Sequence, residues 1–285
     1  MAPLMAIPNL TTKSRLHGVS VFLSASVPSP ERSHEYNRIP EAPLRIEEAV
    51  MSIARAIFME GGTLVFGAHP SISPLVARVI GHYYLPAPAE ESRLEKKTGP
   101  SDSPWQNPSL LIYQSQVWKE YWAEATERLT RHPLVRVQWT DAAPGETVDL
   151  RIKDRPQAPL SMEKMRTAMI KETSPVAMIA IGGMKGVLDE AKIFAKVRPG
   201  NPIFTLATTG GAAALLSQQP EFRNSVQVTD GESLALVRKF WAHQTDKEIA
   251  GTAGENEQRQ LYVPYALVAQ QIVAQLVENS GGLAQ

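Results

Sequence analysis

The chain has no cysteine among its 285 residues. That excludes disulfides, thiolate metal sites and cysteine nucleophiles, and is compatible with a reducing compartment. It also lacks net charge, with 29 basic residues against 29 acidic ones. No global field therefore draws in nucleic acid or an anionic membrane surface, and neither is an expected partner; any anion must be held by a local site. No stretch approaches the roughly 18 to 20 uninterrupted apolar residues that span a bilayer. Met1 to Leu10 is apolar but carries Pro3 and Pro8 and no basic segment, so a secretory leader is not expected and the cytoplasm is the expected location.

Several motifs are missing too. No G-x-G-x-x-G, G-x-x-x-x-G-K-[ST], H-E-x-x-H or G-x-S-x-G occurs, which disfavours an ordinary dehydrogenase, NTPase, zinc protease or α/β-hydrolase. The six histidines, at 17, 34, 69, 82, 132 and 243, show no ligand spacing. No metal and no resident cofactor are expected.

What is present is a 43% hydrophobic content arranged as strands alternating with helices. Apolar runs at Val19–Leu23, Thr63–Phe66, Leu110–Tyr113, Leu134–Trp139, Val176–Ile181, Pro202–Ala207 and Val226–Val228 read as strands, with a shorter one at Val148–Ile152. Ile46, Ala49, Val50, Ile53, Ala54, Ile57 and Phe58 recur at helical spacing, and Gly61-Gly62 ends that pattern as a C-cap does. Ser73 as N-cap with Pro74 behind it starts a helix to about Tyr83. Trp118, Trp122, Ala125 and Leu129 mark one face of another, and Met162, Met165 and Met169 form a further stripe, which methionines at this spacing mostly spend on packing. Helices are also expected at Val187–Val197, Ala212–Leu216, Leu234–Trp241 and Leu261–Leu276. The fold class is therefore α/β, a doubly wound, mainly parallel, Rossmann-like sheet. Residues 1–16 read as an N-terminal extension and 17–285 as one domain with a long loop at 86–108.

In such a sheet all strand-to-helix turns open on one edge, and ligands bind where strand order reverses. Four turns then converge. They contribute Ser24 and Ser26; Gly67, Ala68, His69 and Ser73; Gly182, Gly183, Met184, Lys185 and Gly186; and Thr208, Thr209, Gly210 and Gly211. Glycines let backbone approach a ligand, and the N–H groups of a helix's first turn favour an anion. Glu190, four residues after Gly186, can meet ribose hydroxyls, assist glycosidic cleavage or only stabilise a helix dipole. Lys185 can pair with phosphate or stay solvated, and His69, held extended by Pro70, can contact ligand or serve the turn. Arg32, Arg38 and Arg78 are candidate guanidinium partners for phosphate.

The runs Val21-Phe22-Leu23-Ser24-Ala25-Ser26, Val65-Phe66-Gly67-Ala68-His69-Pro70-Ser71-Ile72-Ser73-Pro74-Leu75 and Gly182-Gly183-Met184-Lys185-Gly186 with Glu190 resemble the SLOG superfamily, which joins DprA-like proteins and the LOG phosphoribohydrolases. The Gly-x-His-Pro turn is most similar to its sirtuin/TIR-associating branch, STALD. The resemblance spans roughly residues 17 to 215. It implies a Rossmann-like domain for nucleotide-derived ligands: ADP-ribose or cyclic ADP-ribose type signals in the STALD domains of antiphage systems, a nucleoside monophosphate in LOG enzymes. LOG enzymes carry P-G-G-x-G-T-x-x-E; here Ile181 replaces the proline, Lys185 is an extra residue and Val187 replaces the threonine.

Three functions follow as expectations. The leading one is a sensor module for an ADP-ribose-type signal, working as a homo-oligomer through an apolar C-terminal helix, with any effector on a separate chain. The second is a nucleotide N-glycosidase with Glu190 as its catalytic residue. The third is a scaffold or partner protein without ligand. Replacing Gly183 by a bulky residue is expected to abolish binding while sparing the fold.

Overall fold

The computed structural model describes residues 15–29, 34–36, 42–83, 109–122, 124–132, 134–149, 151, 157–231 and 263–281. The expected helix at Leu234–Trp241, the loop at 86–108, and Arg32 and Arg38 lie outside the described residues. The strands are β1 (Ser20–Ser26), β2 (Thr63–Phe66), β3 (Leu110–Ser115), β4 (Val135–Thr140), β5 (Ala177–Gly182), β6 (Ile203–Leu206) and β7 (Val226–Val228). They form one sheet in the order β4-β3-β2-β1-β5-β6-β7, and every neighbouring pair is parallel.

The helices are α1 (Ala42–Met59), α2 (Ser73–Tyr83), α3 (Glu124–Thr130), α4 (Pro159–Thr173), α5 (Lys185–Val197), α6 (Gly211–Leu216) and α7 (Tyr265–Gly281). Alternating strand positions sort them into two layers. Val21, Leu23, Ile179 and Ile181 pack with α1, α2 and α7, while Phe22, Met178 and Ala180 pack with α4, α5 and α6. Because both faces are covered, β5 is buried at all six positions, as a central parallel strand must be.

Chain order from β1 runs outward through β2, β3 and β4, then returns to the other side of β1 at β5. The reversal of strand order therefore falls between the carboxyl ends of β1 and β5, where Ser26 is in register with Gly182. That is where a doubly wound sheet opens a crevice.

Local details follow from the sequence with some differences. Helix α1 ends in a Schellman motif, with Gly62 N–H donating to Ile57 O, Gly61 N–H to Phe58 O (both 3.0 Å), and Gly61 at φ 72, the left-handed position glycine occupies without penalty. The polar residues after Leu23 are not a turn: β1 continues through Ser26, because its ladder with β5 extends that far. The single helix expected over Trp118–Leu129 is broken. A 3-10 turn spans Gln116–Tyr121, Trp122 is extended (φ −71, ψ 126), and α3 starts at Glu124; Trp122 thereby reaches Trp139, ring centroids 4.5 Å apart. Residues 148, 149 and 151 form no strand. Helix α7 starts at Tyr265, since Pro264 precedes it. Its apolar residues Val268, Ala269, Ile272, Val273 and Leu276 are buried in the α1 layer, while Leu267 is exposed. Among the described residues no helix is long and apolar enough to cross a membrane.

Candidate functional site

All four predicted turns lie on the carboxyl edge of the sheet. Val27 N–H donates to Ser71 Oγ at 3.1 Å, tying the end of β1 to the turn after β2, and Gly183 N–H donates to Ser26 O at 2.7 Å, tying it to the turn after β5. The turn after β6 meets that of β5 directly: Ala212 N–H donates to Gly183 O at 2.9 Å. The four segments are thus one rim. Which amides face outward from it is a separate question, because every buried N–H needs an acceptor.

Most are consumed internally. Gly182 N–H donates to Thr209 Oγ1 at 2.8 Å, and that hydroxyl donates to Leu206 O at 2.6 Å. Thr209 is wholly buried and holds two turns together. The amides of Ala207 and Thr208 donate to Asp230, at 3.1 and 2.7 Å, and Thr208 Oγ1 donates to the same carboxylate. Asp230 is itself fully buried. Thr208 O accepts from Arg45 Nη1 at 2.9 Å, and Tyr265 OH lies 2.9 Å from Thr208 Oγ1. Burial lifts the Tyr265 phenol to about 12. Within the Thr208–Gly211 cradle expected for phosphate, the protein's own carboxylate therefore takes the Thr208 amide and hydroxyl, as a ligand anion would, and Gly210 N–H donates to Ala207 O at 3.0 Å.

A second helix start is closed in the same way. Glu146 accepts from the amides of Leu160 and Ser161, at 2.9 and 2.7 Å, at the first turn of α4. Burial raises its carboxyl, but the Ser161 hydroxyl and the two amides outweigh this, and it lies below the ordinary value of 4.5. Since the folded value is depressed, its contribution is present above the unfolded value and lost as pH falls through the folded one. Chemical unfolding of Glu146→Gln and the unaltered protein should accordingly differ at pH 7 and converge as pH drops below about 4; a constant gap across that range would contradict the capping role.

The start of α5 differs. Gly182 and Gly183 take φ of 57 and 83, turning the chain so that Met184 is extended and α5 begins at Lys185, two residues before the expected Val187. Among the described residues the N–H groups of Met184, Lys185 and Gly186 have no acceptor. Against them lies a side chain that the sequence reading passed over, Arg166 of α4: a Cβ built on Gly186 would sit 3.1 Å from Arg166 Nη2. Arg166 Nε donates to Glu190 Oε1 at 3.1 Å, and Ser24 Oγ donates to Glu190 Oε2. Both charged side chains are largely buried, 17% and 15% exposed. The signal was available, since Arg166 follows Met162 by four residues and precedes Met169 by three, placing a charge in an otherwise apolar stripe.

The other candidates serve the turns. Ser73 is buried, and its hydroxyl donates to His69 O at 3.2 Å, so it is the first helical residue and not an accepting N-cap. His69 Nδ1 lies 2.8 Å from Ser71 Oγ and accepts from Ser71 N–H at 3.3 Å, while Ala68 is left-handed at φ 49, next to Gly67. Lys185 Nζ pairs with Asp189 at 2.8 Å and is 70% exposed. Arg78 meets Glu47 at 3.7 Å on the α1 and α2 surface. Gly183 does not tolerate a side chain, because its Cβ would fall 2.2 Å from Val187 Cγ2; the expectation that a bulky residue there spares the fold is overturned. Two depressions, about 560 Å³ on the outer face of α4 and about 690 Å³ beside β4, contain no residue of this rim.

Residues 105–241 match the family model LD_cluster3, described as the SLOG cluster3 family, a match that supports membership of the SLOG superfamily. The matched segment includes Arg166, the β5 turn and Glu190, and leaves β1, α1 and β2 outside it. No curated protein matches. Among solved structures, the X-ray structure of TM1055, a structural genomics target, is similar at 12% identity and a TM-score of 0.41, over 74% of this chain and 90% of that one.

Proposed function

We propose that the protein binds a nucleotide-derived anion of the ADP-ribose or cyclic ADP-ribose type at the start of α5 and acts as a sensor module, with a place in antiphage defence as its context. The observation that carries this reading is the contrast between helix starts. Asp230 takes the amides of Ala207 and Thr208 and Glu146 those of Leu160 and Ser161, whereas the amides of Met184, Lys185 and Gly186 are left without an acceptor among the described residues, beside a guanidinium at the β1/β5 crossover. Three successive N–H donors at a helix start and a guanidinium suit a phosphate, because charge-assisted hydrogen bonds are about twice as strong as neutral ones.

Binding is favoured over glycosidic cleavage because Glu190 is already engaged on both oxygens, by Ser24 and Arg166. A general acid or base needs an oxygen directed at the substrate. Thermal unfolding with ADP-ribose, cyclic ADP-ribose and AMP, alongside chromatography for released base, tests the reading. At about 100 times its dissociation constant a ligand stabilises by about 2.7 kcal/mol, a rise of several degrees for a chain of this size. A rise without base release is the expected result. Base release lost in Glu190→Gln would establish the enzyme instead, and no response to any of the three would leave a scaffold.

A further inference from the structure

The crevice between β1 and β5 has two walls, and the anion site uses one of them. Arg166 stands on the α4 side, its Nη2 3.1 Å from a Cβ built on Gly186. From the other layer the start of α1 reaches the same glycine turn, since a Cβ built on Gly182 would fall 2.3 Å from Ile46 Cδ1. The residue before Ile46 is Arg45, half-buried, whose Nη1 donates to Thr208 O at 2.9 Å. That bond holds its guanidinium at the turn after β6, which Thr209 Oγ1 ties to Gly182 N–H at 2.8 Å.

Arg45 is not spent there. A guanidinium has five N–H donors in a planar fork, Thr208 O takes one, and among the described residues Arg45 forms no ion pair. Asp230, the buried carboxylate of this corner, is engaged by the amides of Ala207 and Thr208 and by the Thr208 hydroxyl, and Glu48 is exposed. At the crossover itself stands Ser26, only 6% exposed, with a hydroxyl that has no hydrogen-bond partner among the described residues. Its Oγ lies 3.6 Å from a Cβ built on Gly183. Buried hydroxyls are normally paired, so this one points to a polar ligand beside the glycine turn.

We infer that Arg45 holds the second phosphate of a diphosphate whose first phosphate lies on the amides of Met184, Lys185 and Gly186, so that the site selects a nucleoside diphosphate or its ester over a monophosphate. This rests on the anion site proposed above and adds the wall opposite Arg166. One phosphate on the α5 amides meets the guanidinium of its own wall, whereas two joined phosphates extend across the crevice toward α1. The bond to Thr208 O sets the fork in place beforehand, which reduces the ordering cost of binding.

Calorimetric titration of the full chain with AMP and ADP, which differ by one phosphate, tests it in the unaltered protein and in Arg45→Gln and Arg45→Lys. The unaltered protein should prefer ADP by about tenfold or more. Arg45→Gln should remove about tenfold of that preference, weakening ADP and leaving AMP within about twofold. Arg45→Lys keeps a charged donor for Thr208 O but loses the fork, and should remove less. The preference is a ratio within one preparation, so a partly unfolded variant still reports it. Equal affinity for the two ligands in the unaltered protein would overturn the inference, as would a preference that Arg45→Gln leaves unchanged. Equal weakening of both ligands would also overturn it, by showing that Arg45 acts through Thr208. Binding of neither ligand by the unaltered protein would remove the anion site as well.

Discussion

Gly211→Ala should be among the most damaging single substitutions in this protein, with a loss of about 3 kcal/mol or more in chemical unfolding. Gly211 is held at φ 60, where a Cβ carries a penalty of its own. That Cβ would lie 2.5 Å from Gly183 O and 2.9 Å from Gly182 C. These neighbours are backbone and cannot swing aside, and they belong to the turn that sets the start of α5. Gly183→Ala should behave alike through its 2.2 Å approach to Val187. Gly200→Ala is the internal control: Gly200 is also left-handed, at φ 85, but a Cβ there meets nothing within 4 Å, so only the backbone penalty of about 1 kcal/mol applies. Equal losses at 200 and 211 would contradict the account of the rim as two interlocked glycine turns.

Arg166→Ala is the second large effect, and it acts on stability and binding together. It leaves Glu190 largely buried with Ser24 as its remaining hydrogen-bond partner among the described residues, and removing one member of a buried pair costs about 3 kcal/mol, much of it the stranded charge. Arg166→Met combined with Glu190→Gln removes both charges and should recover most of that loss, since packing is retained. Affinity for the nucleotide should fall at least tenfold in both, because neither restores a guanidinium at Gly186. If the double variant stayed as unstable as Arg166→Ala, the cost would lie in lost packing. If either bound ligand normally, the guanidinium would have no part in the site.

Much of the architecture was legible because it rests on periodicity. The buried run at β5 and the α1 stripe each state their surroundings outright, and α1's glycine pair signals its own left-handed end. The rim was legible as a place, since β–turn–α order and parallel pairing put all such turns on one edge. It was not legible as a set of ligand contacts. Thr208 and Thr209 look like phosphate-binding residues, and the chemistry that suits them to an anion is what Asp230 uses from within; nothing local to residue 230 says that it returns to residue 208. Ser24 and Glu190 were both singled out, but their joining through Arg166 depends on how α4 lies across α5, a tertiary fact that spacing does not encode. The break at Trp122 was hidden for a similar reason. Trp118, Trp122 and Leu129 keep a helical interval, while the tilted ring contact of Trp122 with Trp139 overrides it.

The central claim is that the free amides of Met184, Lys185 and Gly186 hold an anion, and backbone amide NMR during titration with ADP-ribose reads those groups one by one. Saturable shifts largest at these three residues, with Ala207 and Thr208 nearly still because Asp230 already occupies them, are the predicted result. Shifts centred on Ala207 and Thr208, or on the groove beside β4, with residues 184 to 186 unmoved, would contradict it.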